Sequence, residues 1–319
     1  MNEALNEANL ALHTRRSFLT NTLLAAPTIA LAAQHGFSAS RTNNAYTFAA
    51  IGDYGTGKSE QLVVGEAMAQ AHMQTPFNQV LLLGDNMYGE ADFRKKFELP
   101  YQGLLKRNVQ FKAVLGNHDM GTMEEQLAYD RFGMKGQRFY SFAQPEANAQ
   151  FFALDSNMMD APQMKWLELE LAASRAAWKI VFFHHPPFSA GKRHGSDMNL
   201  RQRLHPLLAK HGVQLVLNGH DHIYQRTKPQ QGVNYFVSGA GGKVRKGDMD
   251  SSDSTVALGY DDSYHFMLFD VTPEAIQFRA LNDKGQEIDR GALASNNKLA
   301  MARPSLPSLN VGNYKLIVR

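Results

Sequence analysis

The chain has 319 residues, of which 44% are hydrophobic and 20% charged, and this composition is ordinary for one large globular domain. The net charge of +3 is too small to indicate nucleic-acid binding, because the basic residues are spread along the chain rather than clustered. The absence of cysteine excludes disulfides, thiolate metal ligands and cysteine nucleophiles.

The N-terminal region has the pattern of an export signal. Arg15 and Arg16 precede an apolar stretch, residues 23–33, and small residues follow as far as Ser40. This order is typical of twin-arginine signal peptides, and the stretch is too short to span a membrane. We expect residues 1–40 to be removed after the export machinery has delivered a folded, periplasmic or secreted protein with no stable membrane anchor. The alternative is an N-terminal arm that happens to contain two arginines.

Beyond this region, hydrophobic periodicity predicts strands that alternate with helices. The predicted strands are 46–51, 80–83, 109–115, 138–142, 150–154, 179–183, 213–217, 233–238, 264–271 and 276–281. The predicted helices are 59–73, 91–107, 123–132, 162–175 and 199–211.

The order of these elements indicates an α/β fold. Alternating strands and helices imply a parallel sheet with helical crossovers, and the consecutive strands near the end indicate a second, partly antiparallel sheet. We expect a single domain over residues 41–295 and a C-terminal tail, residues 296–319, with a last strand at 314–318. Residues 239–263 are interpreted as a surface loop; alternatively, their basic side chains (Lys243, Arg245, Lys246) close over an anionic substrate.

Five short motifs follow or end apolar runs. They are Gly52-Asp53-Tyr54-Gly55, Gly84-Asp85-Asn86-Met87-Tyr88, Gly116-Asn117-His118-Asp119, His184-His185-Pro186 and Gly219-His220-Asp221-His222. Any one of these polar residues alone is more simply interpreted as a turn former, a helix cap or a core histidine. Together they deliver carboxylate, amide, phenol and imidazole groups to strand ends, where the sites of α/β proteins form. The motifs therefore predict a site for two metal ions.

In this order the motifs resemble those of the calcineurin-like metallophosphoesterases. Tyr88, three residues after Asp85, narrows the resemblance to purple acid phosphatases of the small, single-domain, tartrate-resistant type. The resemblance covers residues 46–281. It implies a metallophosphoesterase-like four-layer α/β/β/α sandwich, in which two packed mixed β-sheets are flanked by helices.

The resemblance also implies which residues hold each metal ion. The first ion would be held by Asp53, Asp85, Tyr88 and His222, and the second by Asp85, Asn117, His184 and His220. Pro186 favours His184 over His185, because the family pattern is His-x-Pro. A phenolate is a hard anionic donor, so we expect Fe(III) in the first position, with Fe(II), Zn(II) or Mn(II) in the second.

The function implied is a phosphatase that hydrolyses phosphomonoesters of small molecules by attack of a metal-bound hydroxide. His118 is the first candidate for protonating the leaving group, and His194 is the second, although it is alternatively an ordinary surface-loop histidine. Asp119 and Asp221 are expected to orient the imidazoles. We expect the protein to be a monomer.

Three other functions are compatible with the sequence. Residues 52–59 match the P-loop pattern of an NTPase, with Lys58 on phosphates and Ser59 on magnesium, but this leaves the histidine motifs unexplained. If the metal interpretation holds, Ser59 instead caps the following helix. A phosphodiesterase would use the same metal pair. A non-catalytic metal- or phosphate-binding protein would be expected to lack a ligand, and none is missing.

Overall fold

The computed structural model describes residues 45–294. The predicted signal peptide and the C-terminal tail with its strand at 314–318 lie outside these residues and stay predictions. Within the described range, no helix is long and apolar enough to cross a membrane.

Helices and strands alternate through most of this range. The α-helices are α1 (Ser59–Gln74), α2 (Gln102–Leu105), α3 (Met123–Ala128), α4 (Ala161–Ala173) and α5 (Met198–Lys210). The strands are β1 (Tyr46–Ile51), β2 (Gln79–Leu82), β3 (Gln110–Ala113), β4 (Tyr140–Gln144), β5 (Ala149–Ala153), β6 (Trp178–Phe182), β7 (Leu215–Asn218), β8 (Tyr224–Thr227), β9 (Asn234–Ser238), β10 (Val256–Tyr260), β11 (His265–Val271), β12 (Ala275–Asn282) and β13 (Glu287–Ala294).

The strands form two mixed sheets. The first has the order β13-β12-β11-β1-β2-β3, and the second has the order β10-β8-β9-β7-β6-β5-β4. In the first sheet β1, β2 and β3 are parallel. In the second sheet β5, β6, β7 and β9 are parallel. The carboxyl ends of the parallel strands therefore lie together at one edge of each sheet, which is where a site is expected.

The two sheets pack face to face through buried phenylalanines. Phe48 of β1 stacks on Phe269 of β11 with ring centroids 4.8 Å apart, and it meets Phe151 of β5 edge-on at 5.2 Å. Phe236 of β9 meets Phe278 of β12 at 4.9 Å. Each such aromatic pair contributes about 0.5–1.5 kcal/mol beyond the burial of apolar area. The Phe48–Phe151 and Phe236–Phe278 contacts cross between the sheets and therefore fix one sheet relative to the other.

Helices cover the outer faces of both sheets. Val64 and Met68 of α1 are buried in the core cluster of the first sheet. Leu171 of α4 and Leu204 of α5 share a second cluster with Val181 of β6. The chain is thus an α/β/β/α sandwich of two mixed sheets, and the predicted fold is confirmed.

The prediction that the late strands form a second, partly antiparallel sheet is confirmed for β9 and wrong for the predicted strands after it. β11, β12 and β13 join the first sheet, where β11 pairs antiparallel with β1. Residues 239–263 are also not purely a surface loop, because they contain β10, which pairs with β8. The sequence predicted neither β8, β10 nor β13. Periodicity reports which residues are buried but not which strand they pair with.

Two predicted helices are shorter than expected. Residues 91–107 form a π-helical turn, Arg94–Glu98, and the single turn α2, with Pro100 between them. Proline has no N–H and clashes with the preceding turn, so a continuous helix is not available there. Residues 123–132 form α3 and then a 3-10 turn at Asp130–Phe132.

The contact between the sheets gives the first prediction. We expect Phe48→Ala to lower the free energy of unfolding by about 3–5 kcal/mol, because it leaves a cavity between Phe269 and Phe151. Met73→Ala, at a side chain that is 62% exposed, is the control and should change it by less than about 0.5 kcal/mol. Urea unfolding followed by circular dichroism measures both. Equal effects of the two substitutions would contradict the proposed packing.

Candidate metal centre

The carboxyl ends of five strands bring the predicted ligand residues together. The first sheet delivers four of them after β1, β2 and β3, and the second sheet delivers three after β6 and β7: Asp53, Asp85, Tyr88 and Asn117, then His184, His220 and His222. The donor atoms of Asp53, Asp85 and His184 lie within 4.8 Å of one another. Residues separated by more than 130 positions in the chain therefore face the same space.

Three of these side chains form a group that we call the tyrosine cluster: Asp53, Tyr88 and His222. Tyr88 Oη lies 3.4 Å from Asp53 Oδ1 and 3.3 Å from His222 Nε2. His222 Nε2 lies 3.5 Å from Asp53 Oδ1. Tyr88 has a single hydroxyl hydrogen, which can be donated to only one of these two acceptors at a time. The cluster therefore contains more lone pairs than hydrogens to share between them.

Three others form the histidine cluster: Asn117, His184 and His220. His184 Nε2 lies 3.2 Å from Asn117 Oδ1 and 3.2 Å from His220 Nδ1. His184 Nδ1 lies 2.9 Å from the Leu83 carbonyl oxygen, a contact that favours the hydrogen on Nδ1. The lone pair of Nε2 then points at other acceptor atoms, an arrangement that suits a cation.

Asp85 lies between the two clusters. Its Oδ1 is 3.4 Å from His184 Nε2 and accepts a hydrogen bond from the His118 amide at 3.0 Å. Burial raises the pKa of Asp53, and the neighbouring Asp85 carboxylate raises it further. Within residues 45–294, no lysine or arginine lies within 4.0 Å of either carboxylate. The pair therefore lacks a protein counter-ion at contact distance.

The histidines of the centre are held in their neutral form. Burial lowers the pKa of His184, and burial together with Arg245 and Lys243 lowers the pKa of His222 to about 3. Neutral imidazoles, carboxylates, an amide oxygen and a phenol are the donors that borderline and hard metal ions prefer. The side chains present thus fit two cations, one at each cluster. Their assignment as ligands stays a prediction.

The backbone around the centre is constrained. Asp53, Asp85 and His220 have left-handed φ angles of 56°, 53° and 73°, which is uncommon outside glycine and typical of functional sites. Gly219 has no room for a side chain, since a Cβ there would lie 2.6 Å from Asp53 Oδ2. At Gly116 a Cβ would overlap Asp85 Oδ1. Strand-end glycines therefore allow the backbone to approach the carboxylates.

The expectation that Asp119 and Asp221 orient imidazoles is wrong. The Asp119 carboxylate accepts backbone hydrogen bonds from Gly116 at 2.7 Å and Met87 at 2.8 Å, so it joins two loops instead. The Asp221 carboxylate accepts from the Ser189 hydroxyl, and it thereby holds the chain that leads to His194. Asp119 thus binds loop backbone and Asp221 binds a loop hydroxyl, and sequence spacing could not show either role.

The two candidate proton donors lie at different clusters. His118 is exposed, and its ring centroid is 4.8 Å from that of Tyr88. His194 is also exposed, with its ring 4.4 Å from that of His220. Both are therefore close enough to the centre to meet a bound substrate.

His185, which is not among the predicted ligands, also reaches the centre. His185 groups with His184 and His220, with all three donor atoms within 4.8 Å of one another. Its Nδ1, however, lies 2.8 Å from Ser156 Oγ. The position of Pro186 is the only feature of the sequence that indicates which of the two adjacent histidines, His184 or His185, is the ligand.

The P-loop interpretation fails on hydrogen bonding. A P-loop must offer free backbone N–H groups to phosphate. Here the Gly55 amide donates to the Asp85 carbonyl at 3.2 Å, and the Gly57 amide donates to Gln61 Oε1 at 2.8 Å. Ser59 is the first residue of α1 rather than its cap, since Lys58 occupies the N-cap position without a side-chain bond. The loop is therefore a closed turn that positions Asp53.

Comparison with known proteins agrees with this geometry. A model of the calcineurin-like phosphoesterase family matches residues 46–224. Purple acid phosphatase 7 of Arabidopsis thaliana is 27% identical over 293 residues, which are 81% of this chain and 88% of that protein. Tartrate-resistant acid phosphatase type 5 of Homo sapiens is 31% identical over 238 residues, which are 62% of this chain and 73% of that protein.

Solved structures share the fold. GAP50 of Plasmodium superposes with a TM-score of 0.70 at 19% identity, covering 79% of this chain and 89% of that one. The purple acid phosphatase PPD1 from yellow lupin (Lupinus luteus) has a TM-score of 0.67 at 17% identity, covering 78% and 54%. The chain belongs to the calcineurin-like phosphoesterase family and, within it, resembles the purple acid phosphatases. It is a metal-dependent phosphoric-ester hydrolase, and the family implies a dinuclear metal centre.

Lys96 holds the loop that carries Tyr88. Its ammonium is buried in the π-helical turn and donates to the carbonyl oxygens of Tyr88 at 2.9 Å and Glu90 at 2.6 Å. Its neighbour Lys95 is exposed. Nothing in the sequence distinguishes these two lysines, because the pattern of residues 91–107 predicts one polar helix.

The second prediction compares Lys96→Met with the matched control Lys95→Met. Lys96→Met leaves two carbonyl groups without a donor, so the free energy of unfolding should fall by about 1–3 kcal/mol. The control should change it by less than about 0.5 kcal/mol. Urea titration of both variants measures the difference, and a Lys96→Met variant as stable as the control would rule out this role.

Proposed function

We propose that this protein is a phosphomonoesterase of the purple acid phosphatase type. In it, Fe(III) is held by the tyrosine cluster with Asp85, and Fe(II), Zn(II) or Mn(II) is held by the histidine cluster with Asp85. The observation that carries the proposal is the position of Tyr88 Oη, 3.4 Å from Asp53 and 3.3 Å from His222. A phenol in this position supplies the hard donor that favours ferric iron. The acid phosphatases among its relatives support the monoester preference.

The bound metal pair lowers the pKa of water and neutralises charge on the phosphoryl group. The protein side chains hold the carboxylates in position and supply the proton for the leaving group. Asp53 and Asp85 are oriented by amide hydrogen bonds from His220 and His118. Asp53 uses Oδ2 for this bond, which leaves its Oδ1 beside Tyr88 and His222. The exposed ring of His118, beside Tyr88, is placed to carry a proton on a ring nitrogen and to give it to the departing oxygen. His194, at the other cluster, is the second candidate for this transfer.

The third prediction separates the metal centre from the P-loop alternative. Asp85→Asn removes a carboxylate shared by both clusters, so metal content should fall and activity should drop by more than the roughly 10- to 100-fold typical of supporting residues. Lys58→Ala, the control on the exposed end of the turn, should keep activity within about twofold. Metal analysis and hydrolysis of 4-nitrophenyl phosphate measure both.

Loss of activity in Lys58→Ala together with full activity in Asp85→Asn would reject the metal centre.

The visible absorption spectrum tests the identity of the metal ions separately. A tyrosinate-to-iron charge-transfer band is expected, and an active but iron-free, colourless enzyme would reject Fe(III) while retaining the family. Faster hydrolysis of a phosphodiester than of its monoester would establish the phosphodiesterase alternative.

The fourth prediction assigns the proton donor by varying the leaving group. His118→Asn should reduce kcat for an alkyl phosphate by about 10²- to 10⁴-fold, because an alkoxide needs a proton to leave. The loss for 4-nitrophenyl phosphate should be much smaller, because nitrophenolate leaves unprotonated. His194→Asn is measured in parallel on both esters. If the leaving-group dependence follows His194→Asn instead, the proton comes from His194.

A further inference from the structure

The segment that follows β5 contacts two of the ligand motifs and belongs to neither. Residues 155–157, which we call the bridging segment, leave the carboxyl end of β5 in the second sheet. Their side chains are buried or half-buried, and none of them is among the predicted ligands. The hydrogen bonds of this segment show which parts of the metal centre it supports.

The last residue of the bridging segment holds the loop that carries Asn117. Asn157 Nδ2 donates to the Leu115 carbonyl oxygen at 3.2 Å and to the Gly116 carbonyl oxygen at 3.3 Å. Gly116 directly precedes Asn117, and its amide donates to the Asp119 carboxylate at 2.7 Å. The peptide groups on both sides of Gly116 are therefore held, which fixes the backbone from which the Asn117 side chain starts.

The middle residue of the bridging segment holds the chain after His184. Ser156 Oγ accepts the His185 amide hydrogen at 3.1 Å and lies 2.8 Å from His185 Nδ1. Asn117 follows β3 of the first sheet, whereas His184 follows β6 of the second. The bridging segment thus ties two members of the histidine cluster, one from each sheet, to one short piece of chain.

The first residue of the bridging segment anchors it. The buried Asp155 carboxylate accepts from Arg138 Nη1 at 2.6 Å on Oδ2, and its Oδ1 accepts from the backbone and side-chain amides of Asn157, each at 3.0 Å. Arg138 also donates to Asp160, whose other oxygen caps α4. Hydrogen bonds to ionised groups are about twice as strong as neutral ones, so the segment has a well-defined position.

Asn117 depends on this support more than its partner does. Its side chain is exposed, whereas His184 is fully buried among core residues. An exposed side chain loses conformational entropy when it binds an ion, and a backbone that is already held lowers the total cost. Within residues 45–294, no hydrogen bond of the bridging segment reaches the tyrosine cluster. Its effect should therefore be confined to the histidine cluster.

We propose that Asn157 is a positioning residue for the metal ion at the histidine cluster. Through the carbonyls of Leu115 and Gly116, it holds Asn117 with its amide oxygen 3.2 Å from His184 Nε2 before the ion binds. It thereby raises the affinity for this ion and leaves the affinity at the tyrosine cluster unchanged. The proposal rests on the proposed division of the ligands between two ions.

The fifth prediction compares Asn157→Leu with the adjacent control Met158→Leu. Leucine has nearly the shape of asparagine but donates no hydrogen bond, so the dissociation constant of the ion at the histidine cluster should rise about 10- to 100-fold. That of the ion at the tyrosine cluster should change by less than about twofold. Met158 is 39% exposed, and its replacement should change neither constant. Asn157→Gln keeps an amide donor and should recover part of the loss.

Equilibrium dialysis of the holoenzyme against graded chelator concentrations, with metal analysis, measures both constants. The tyrosinate-to-iron band follows the ion at the tyrosine cluster separately. Activity gives a further readout, because Asn157→Leu should be less active than wild type at limiting Zn(II) and should return to within about twofold of it at saturating Zn(II). A variant with a generally damaged fold would not recover in this way.

The positioning role is overturned if Asn157→Leu binds both ions as tightly as the wild type. It is also overturned if this variant loses the ion at the tyrosine cluster at least as readily as the other, or if saturating Zn(II) restores no activity. If the wild type itself holds fewer than two ions, the proposed division of the ligands has failed, and the positioning role fails with it.

Discussion

The centre depends on the burial of two carboxylates, Asp53 and Asp85, next to each other. Like charges in a buried site repel, and each is costly to desolvate, so such a pair requires protons or cations. Within residues 45–294, no lysine or arginine lies at contact distance. The surrounding donors are instead a phenol, an amide and neutral imidazoles, which add lone pairs rather than positive charge. The arrangement is therefore complete only with cations, and the other features of the site follow from it.

The position of the carboxylates links the two sheets. Asp53 follows a strand of the first sheet, but its Oδ2 accepts the amide hydrogen of His220 from the second sheet at 2.8 Å. Left-handed φ angles at both residues turn the backbone so that this hydrogen bond can form. The relative placement of the sheets is in turn fixed by the contacts of Phe48 with Phe151 and of Phe236 with Phe278. Each of the two clusters takes residues from both sheets, so a shift between the sheets would break up both clusters. The geometry of the site therefore depends on the packing of the core.

The sequence predicted the parts of this arrangement that are local. An apolar run followed by Gly-Asp is visible in the chain, and β1 was predicted with the bounds that the structure has. Pairing over long distances was not predictable, since β11 could equally have joined either sheet by its pattern. β8 begins two residues after His222, which hid it within the motif, and β13 carries exposed charges such as Arg290.

Binding of the metal ions also changes the electrostatic environment of the basic residues Lys243 and Arg245. Burial lowers the pKa of Lys243, and the nearby Asp85 and Asp53 charges oppose that effect. Once cations occupy the centre, these carboxylates are neutralised, and Lys243 and Arg245 then add to a region of net positive charge. Such a region is costly to leave without an anion, and phosphate groups are the anions that the family binds. Metal binding and phosphate binding should therefore strengthen each other, through charges fixed by the backbone rather than through any movement of the fold.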